Sequence, residues 1–247
     1  MNYVAKIKYL GTNFCGFQVQ PDKRTVQGEL CRALSEALCV DCKVTGCSRT
    51  DAGVHANSFT IKIDAEGSTV PAERLPLAVS KFLPQDLSLF WANECDSSFH
   101  PRYDVRTKEY LYRIINERVY DPFEYGRAWF LPKPITDLDV ERMNEAADYL
   151  VGEHDFSAFM SEGSDVKNTV REIKYINVKK TNSLIEVRVL GNGFLYNMVR
   201  IIVGTLIEVA YSRMTPIEVG KALISKDRKN AGMTAPAEGL YLNSVNY

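Results

Sequence analysis

The hydrophobic pattern of this chain switches repeatedly between a period of two and a period near 3.6, and that switching limits the folds open to it. Met1-Asn2-Tyr3-Val4-Ala5-Lys6-Ile7 alternates like a strand. From Thr25, a fitting N-cap, the residues Val26, Leu30, Ala33, Leu34, Ala37 and Leu38 recur at helical spacing and make one apolar face. Phe59-Thr60-Ile61-Lys62-Ile63 returns to alternation, and Glu66 to Pro71 breaks it. A second helical stripe, Leu75, Val79, Phe82 and Leu83, stops at Pro84, and Leu87 to Ala92 reads as another strand. Strand, helix, strands, helix, strand predicts an α+β plan in which helices cover one face of a mostly antiparallel sheet.

The second half repeats the alternation of periods without a visible internal sequence repeat. Tyr110, Tyr112 and Ile114 fall on one strand face, and Leu111, Arg113 and Ile115 on the other. The stretch from Asn116 to Tyr125 is rich in turn formers and reads as a boundary between halves. Asp137 to Val151 carries a helical stripe ended by Gly152. Val170 to Val178 and Leu184 to Val189 read as antiparallel neighbours joined by the polar turn Lys180 to Ser183. A strongly apolar helix follows from Asn197, interrupted by Arg200, and Pro216 to Leu223 suggests a short one. A buried arginine is expensive unless paired, so Arg200 predicts a carboxylate partner, the alternative being a guanidinium that reaches solvent from the helix end.

With 247 residues, 45% of them hydrophobic, the chain can bury a substantial core in one or two domains. The most apolar run, Ile201 to Ile207, is stopped by Glu208, far short of a membrane span of roughly 20 residues. The first residues alternate like a strand and contain no signal-peptide core, so a cytoplasmic protein is expected. A formal charge of −1 argues against an evenly basic nucleic-acid binder, and any RNA site has to be a local patch. Six unevenly spread cysteines fit reduced thiols. Cys39 and Cys42 have metal or redox spacing, but no second pair or nearby histidine completes a zinc site, and free structural thiols are the expectation.

Chemistry concentrates in Gly46-Cys47-Ser48-Arg49-Thr50-Asp51-Ala52-Gly53-Val54-His55-Ala56, a polar loop between the first helical pattern and the Phe59 strand. Gly46 and Gly53 allow turns that other residues resist, which lets a scaffold hold one side chain at a fixed spot. Asp51 is that side chain, with Arg49 before it and His55 after it. An aspartate in a glycine-containing turn also caps backbone amides, so the loop by itself fits either reading. Tyr9 to Pro21 is a second loop, whose interleaved aromatics serve either loop packing or base stacking. His154-Asp155 could do acid–base work, but a packing and orienting role is favoured.

Ser48-Arg49-Thr50-Asp51-Ala52-Gly53-Val54-His55 resembles the active-site loop of the tRNA pseudouridine synthase A family. Phe99-His100-Pro101-Arg102 followed by Lys108-Glu109-Tyr110-Leu111-Tyr112 resembles that family's second motif. Asn197-Met198-Val199-Arg200 with Val203-Gly204 resembles its third, and Ala235 to Leu242 its closing segment. The opening segment departs from the family pattern, with Leu10 in place of an aspartate and Phe17 in place of a tryptophan. The resemblance implies two similar α+β halves, 1–104 with the aspartate loop and 105–247 with the tyrosine and arginine motifs, flanking a central RNA-binding cleft. It implies a homodimer that isomerises uridine at tRNA positions 38, 39 and 40 of the anticodon arm. On the same ground Asp51 is the nucleophile, Tyr110 stacks on the target uracil and Arg200 pairs with Asp51.

Uridine becomes pseudouridine when the bond from ribose C1′ to N1 breaks and a bond from C1′ to C5 forms; nothing is oxidised and no group is gained. No cofactor and no metal are therefore expected, and the absence of a phosphate-cradling Gly-Lys motif fits. A carboxylate can form and release an adduct at carbon, whether by attack at C1′ or C6 or by way of a glycal. A base inside a stem or stacked loop has to be flipped out, for which Arg49 is the candidate, with His55 supporting the same loop. Two other classes compete: an inactive RNA-binding protein of the same fold, and a carboxylate glycoside hydrolase. The second needs a further acidic group to protonate its leaving group, and none stands beside Asp51 in sequence.

Overall fold

The computed structural model describes residues 1–163 and 166–247. They form two compact units, Met1–Arg106 with Tyr241–Tyr247, and Thr107–Leu240.

In the first unit, β1 (Asn2–Tyr9) buries Tyr3, Ala5, Ile7 and Tyr9 on one face, as its alternation requires. Next, α1 (Val26–Leu38) starts at Thr25, whose hydroxyl accepts from the Gly28 amide, and buries Val26, Leu30, Ala33 and Leu34. Each such apolar side chain removed from water contributes roughly 1.5–3 kcal/mol. The helix stops at Cys39, which takes a left-handed conformation. A strand absent from the sequence reading follows: β2 (Cys42–Gly46) pairs antiparallel with β3 (His55–Ala65). Five residues with two buried side chains, Cys42 and Val44, are too short a pattern to stand out. The third strand itself begins at His55, ahead of the predicted Phe59 start. Helix α2 (Leu75–Ser80) is shorter than its apolar stripe and leads to β4 (Leu87–Glu94).

The second unit holds β5 (Thr107–Ile115), β6 (Trp129–Phe130), α3 (Asp137–Asp148), β7 (Gly152–Asp155), β8 (Val170–Thr181), β9 (Leu184–Gly191), α4 (Met198–Ala210) and α5 (Pro216–Ser225). Its strands run β7-β8-β9-β5 with antiparallel pairing, and β6 lies parallel to the end of β5. Asn116 to Tyr125 lies inside this unit, not between units. The Asn116 side chain pins the loop: its amide donates to the carbonyls of Leu131 at 2.9 Å and Lys133 at 2.8 Å, and its oxygen accepts from the Ile135 amide. A reciprocal capping box between Thr136 and Asp139 starts α3, which ends at Asp148, before Gly152. Along α4 nearly every side chain is buried; Arg200 and Glu208 are half-buried. Such a helix, apolar on all sides, belongs at the centre of a unit.

The chain finishes with β10 (Leu240–Asn246), whose residues from Tyr241 onward belong to the first unit and run parallel to β3, Tyr241 opposite His55 and Leu242 opposite Ala56. The protein is thus α+β with mostly antiparallel strands. Among the described residues no helix is long and apolar enough to cross a membrane.

Candidate active site

In the first unit the loop between β2 and β3 is held in part through its backbone. The Cys47 amide donates to the Thr60 carbonyl at 3.0 Å, and the Gly53 amide to the Phe14 carbonyl at 3.3 Å. A tight turn closes when the Val54 amide donates to the Asp51 carbonyl at 3.2 Å, with Gly53 at φ +80°. Thr50, just before the aspartate, is buried; its hydroxyl meets the Tyr9 hydroxyl at 2.8 Å and its carbonyl accepts from the Phe17 amide at 3.1 Å. Asp51 is left half-buried at the turn, Arg49 is exposed, and both sit on one short rigid segment.

The aromatics of the second loop answer the choice left open by the sequence. Phe14 and Phe17 are buried, and Phe17 stacks on Phe59 with ring centres 4.4 Å apart. They serve packing, not base stacking. This also explains Gly46: a Cβ there would lie 2.5 Å from the Phe17 ring, so close approach and not a turn requires glycine. Arg24 ties the loop down with two bonds of 2.8 Å to the Asp86 carboxylate while lying 4.1 Å over the Phe14 ring. That bond to Asp86 raises the Arg24 pKa.

His55 is fully buried. Its Nδ1 accepts from the Gly11 amide at 2.8 Å, and its ring stacks on Tyr241 at 4.4 Å. It joins the loop containing Gly11 to the final strand. Tyr9, Thr50 and Tyr241, which the sequence reading did not single out, make these contacts.

The second unit carries Tyr110 and Arg200. Tyr110, on β5 opposite Val189, is buried with its ring edge-on to Phe194 at 5.0 Å. Arg200 lies in the first turn of α4. Its Nε donates to the Ala235 carbonyl and its Nη1 to the Asn197 side-chain oxygen, both at 2.7 Å. The Ala235 amide returns a bond to the Arg200 carbonyl, and Asn197 holds a left-handed backbone while its amide donates to Ser161. Tyr112, fully buried, donates its hydroxyl to Pro236 at 2.7 Å, and burial pushes its pKa well up. The guanidinium is therefore fixed in direction by a closing segment that Tyr112 also anchors.

The His154-Asp155 pair is engaged within its own unit. Asp155 accepts from the Thr169 hydroxyl at 2.6 Å, from Lys226 at 2.9 Å and from the Ser157 amide at 3.1 Å, and these hold its carboxyl far below the ordinary range. His154 places Nε2 2.9 Å from the Val151 carbonyl. Cys39 is exposed at its helix end, whereas burial raises the Cys42 thiol.

A family model described as tRNA pseudouridine synthase matches residues 5–104 and 146–247. The chain is 43% identical to the tRNA pseudouridine synthase A 2 of Clostridium tetani over 248 residues, covering 100% of this chain and 98% of that protein. It is 45% identical to the tRNA pseudouridine synthase A of Brevibacillus brevis, covering 98% and 97%, and 43% identical to that of Bacillus pumilus, covering 100% and 99%. The aspartate loop and the arginine helix fall within the family-model match and the tyrosine strand within the stretch shared with these relatives, and the chain belongs to the tRNA pseudouridine synthase family.

Proposed function

We infer that this protein is an isomerase that converts uridine to pseudouridine in tRNA, and we propose that Asp51 is its nucleophile and the anticodon arm its target. The observation that carries the reading is the construction of the Asp51 loop. A carboxylate is set half-buried on a turn whose neighbours are fixed by Tyr9, Phe14, Phe17 and Thr60, so it meets a substrate without first ordering itself. Arg49, exposed beside it, is proposed to hold open the gap left by the flipped nucleotide. Tyr110 is proposed to pack on the extruded uracil, and Arg200 to be the cation that favours the ionised nucleophile, as the family motifs suggest. The two units are proposed to act together, within a homodimer.

Whichever carbon Asp51 attacks, the balance is the same: the C1′–N1 bond breaks, the C1′–C5 bond forms, C5 gives up its proton and N1 ends protonated. Asp51→Ala is expected to abolish product while tRNA affinity stays within about tenfold, roughly 1.4 kcal/mol. Chemical mapping of pseudouridine in an unmodified tRNA, alongside a gel-shift titration, measures both. Equal loss of binding refutes the division of labour, product outside the anticodon arm overturns the target, and release of free uracil overturns the isomerase.

A further inference from the structure

A strip along the outer edge of the first unit's sheet has no part in the reaction described above. Between β1 and β4 the ladder slips by one residue: Lys6 faces Trp91, but Ile7 faces Leu89. The extra residue, Phe90, breaks the alternation, so Phe90 and Trp91 are both exposed, each 41%, while Leu89 and Ala92 on either side are buried. Two consecutive large aromatics on one strand in solvent would otherwise fall on opposite faces. Lys6 lies 5.5 Å over the Trp91 ring and Lys8 5.3 Å over the Phe90 ring. Lys6 and Lys8 are two strand positions apart, roughly 7 Å, and Val4 and Asn93 extend the strip.

Charge decides the occupant. Lys62, on the neighbouring strand, is committed to the Ser97 carbonyl at 2.6 Å and to Asp64 at 3.3 Å. Lys6 and Lys8 instead rest on ring faces, with ammonium groups available to an anion. In a symmetric dimer the same patch meets itself, which would set these lysines against their own copies. Alternating cations and flat aromatic faces match RNA, whose phosphates take lysine and whose bases and riboses stack on aromatic rings.

We propose that Lys6, Lys8, Phe90 and Trp91 form an auxiliary RNA-contact strip that receives a segment of the tRNA away from the reacting uridine, with phosphates on the lysines and a base or ribose on Trp91. The proposal rests on the reading of this protein as a tRNA enzyme. It sets affinity and not chemistry, so its loss raises KM and spares kcat.

The chain has two tryptophans, so in a Trp129→Phe background Trp91 is the sole indole reporter. Titration with unmodified tRNA is expected to quench its emission. Trp91→Ala, and separately Lys6→Gln with Lys8→Gln, should each raise KM and Kd about tenfold with kcat within about twofold. The lysine pair should also lower the salt slope of binding by about 1.4, the value for two contacts to a single strand. Absence of quenching, or unchanged KM and Kd in both variants, overturns the strip. A change in sedimentation with tRNA affinity unaltered also overturns it, and makes the patch a contact between copies. Failure of the enzyme reading is distinguishable: quenching and weakened variants would persist while the wild type made no pseudouridine.

Discussion

Gly16→Ala is the sharpest test of how the Asp51 loop is built. Gly16 has φ +85°, and a Cβ there would stand 2.6 Å from the Thr50 carbonyl oxygen. The left-handed backbone alone costs an alanine about 1–2 kcal/mol. Relief of the contact requires a shift of about 0.8 Å to reach ordinary van der Waals distance. The same carbonyl accepts from the Phe17 amide, so the shift weakens a bond to a buried donor, a further cost of about 1–3 kcal/mol. The sum, about 2–5 kcal/mol, is a large part of a typical domain's stability. Gly67→Ala is the matched control, because Gly67 has the same φ of +85° but its Cβ would meet only the Val40 side chain, at 3.6 Å. Urea unfolding should therefore show the Gly16 variant less stable than the Gly67 variant by at least about 1 kcal/mol, the unmet hydrogen bond being the difference. In single-turnover assays at a temperature where both remain folded, Gly16→Ala should slow pseudouridine formation by roughly 10²-fold, since a displacement approaching 1 Å at Thr50 is passed to Asp51. Gly67→Ala should leave the rate unchanged. Equal stability of the two variants, or a wild-type rate in a folded Gly16→Ala protein, would refute the claim that this carbonyl positions Asp51.

Arg200→Lys keeps the charge but cannot reproduce the two directed bonds to Ala235 and Asn197. Product formation should fall by at least about tenfold, with tRNA affinity nearly unchanged, and a wild-type single-turnover rate would show that the guanidinium geometry is dispensable. Asp155 tests the structural reading of the His-Asp pair. Its folded pKa lies below that of the unfolded chain, about 3.9, through Thr169 first and then Lys226. Its contribution is therefore present above about pH 4 and is lost as pH falls through the acid range. Asp155→Asn should lower stability at neutral pH and flatten the decline between about pH 5 and pH 2, while the pH–rate profile near neutrality keeps its shape. An altered rate profile with unaltered stability would assign the pair to catalysis instead.

The elements that were legible in the sequence are those whose burial repeats within one segment. The alternation of β1 and the Val26 to Leu38 stripe each report a single apolar face, and the turn between β8 and β9 sits where its polar residues place it. β2 escaped notice because its five residues have only two buried side chains. β10 follows the segment anchored by Tyr112 and then pairs with β3 far back in the chain; Tyr241 to Val245 carries no local sign of which unit it will join. Asn116 shows the converse, since turn formers mark a loop but do not say whether the loop separates units or is pinned within one.

The same distinction runs through the site. Asp51, Tyr110 and Arg200 stand in motifs, and motifs can be read locally. Part of what fixes the Asp51 loop, Arg200 and His55 is contributed by residues remote in sequence, through atoms that have no side-chain identity: the Thr50 carbonyl against Gly16 and the Phe17 amide, the Ala235 carbonyl against Arg200, the Gly11 amide against His55. A backbone group is common to every residue, so no residue pattern announces it. The departure at position 17 illustrates the point. As sequence, phenylalanine in place of tryptophan leaves loop packing and base stacking both open. In the fold it is a ring wedged between Phe59 and Gly46, where the space left by a glycine limits its size. Position 17 is tied to the Asp51 loop through the Phe17 amide and Thr50, and variation there is expected to be read as loop stability before it is read as substrate choice.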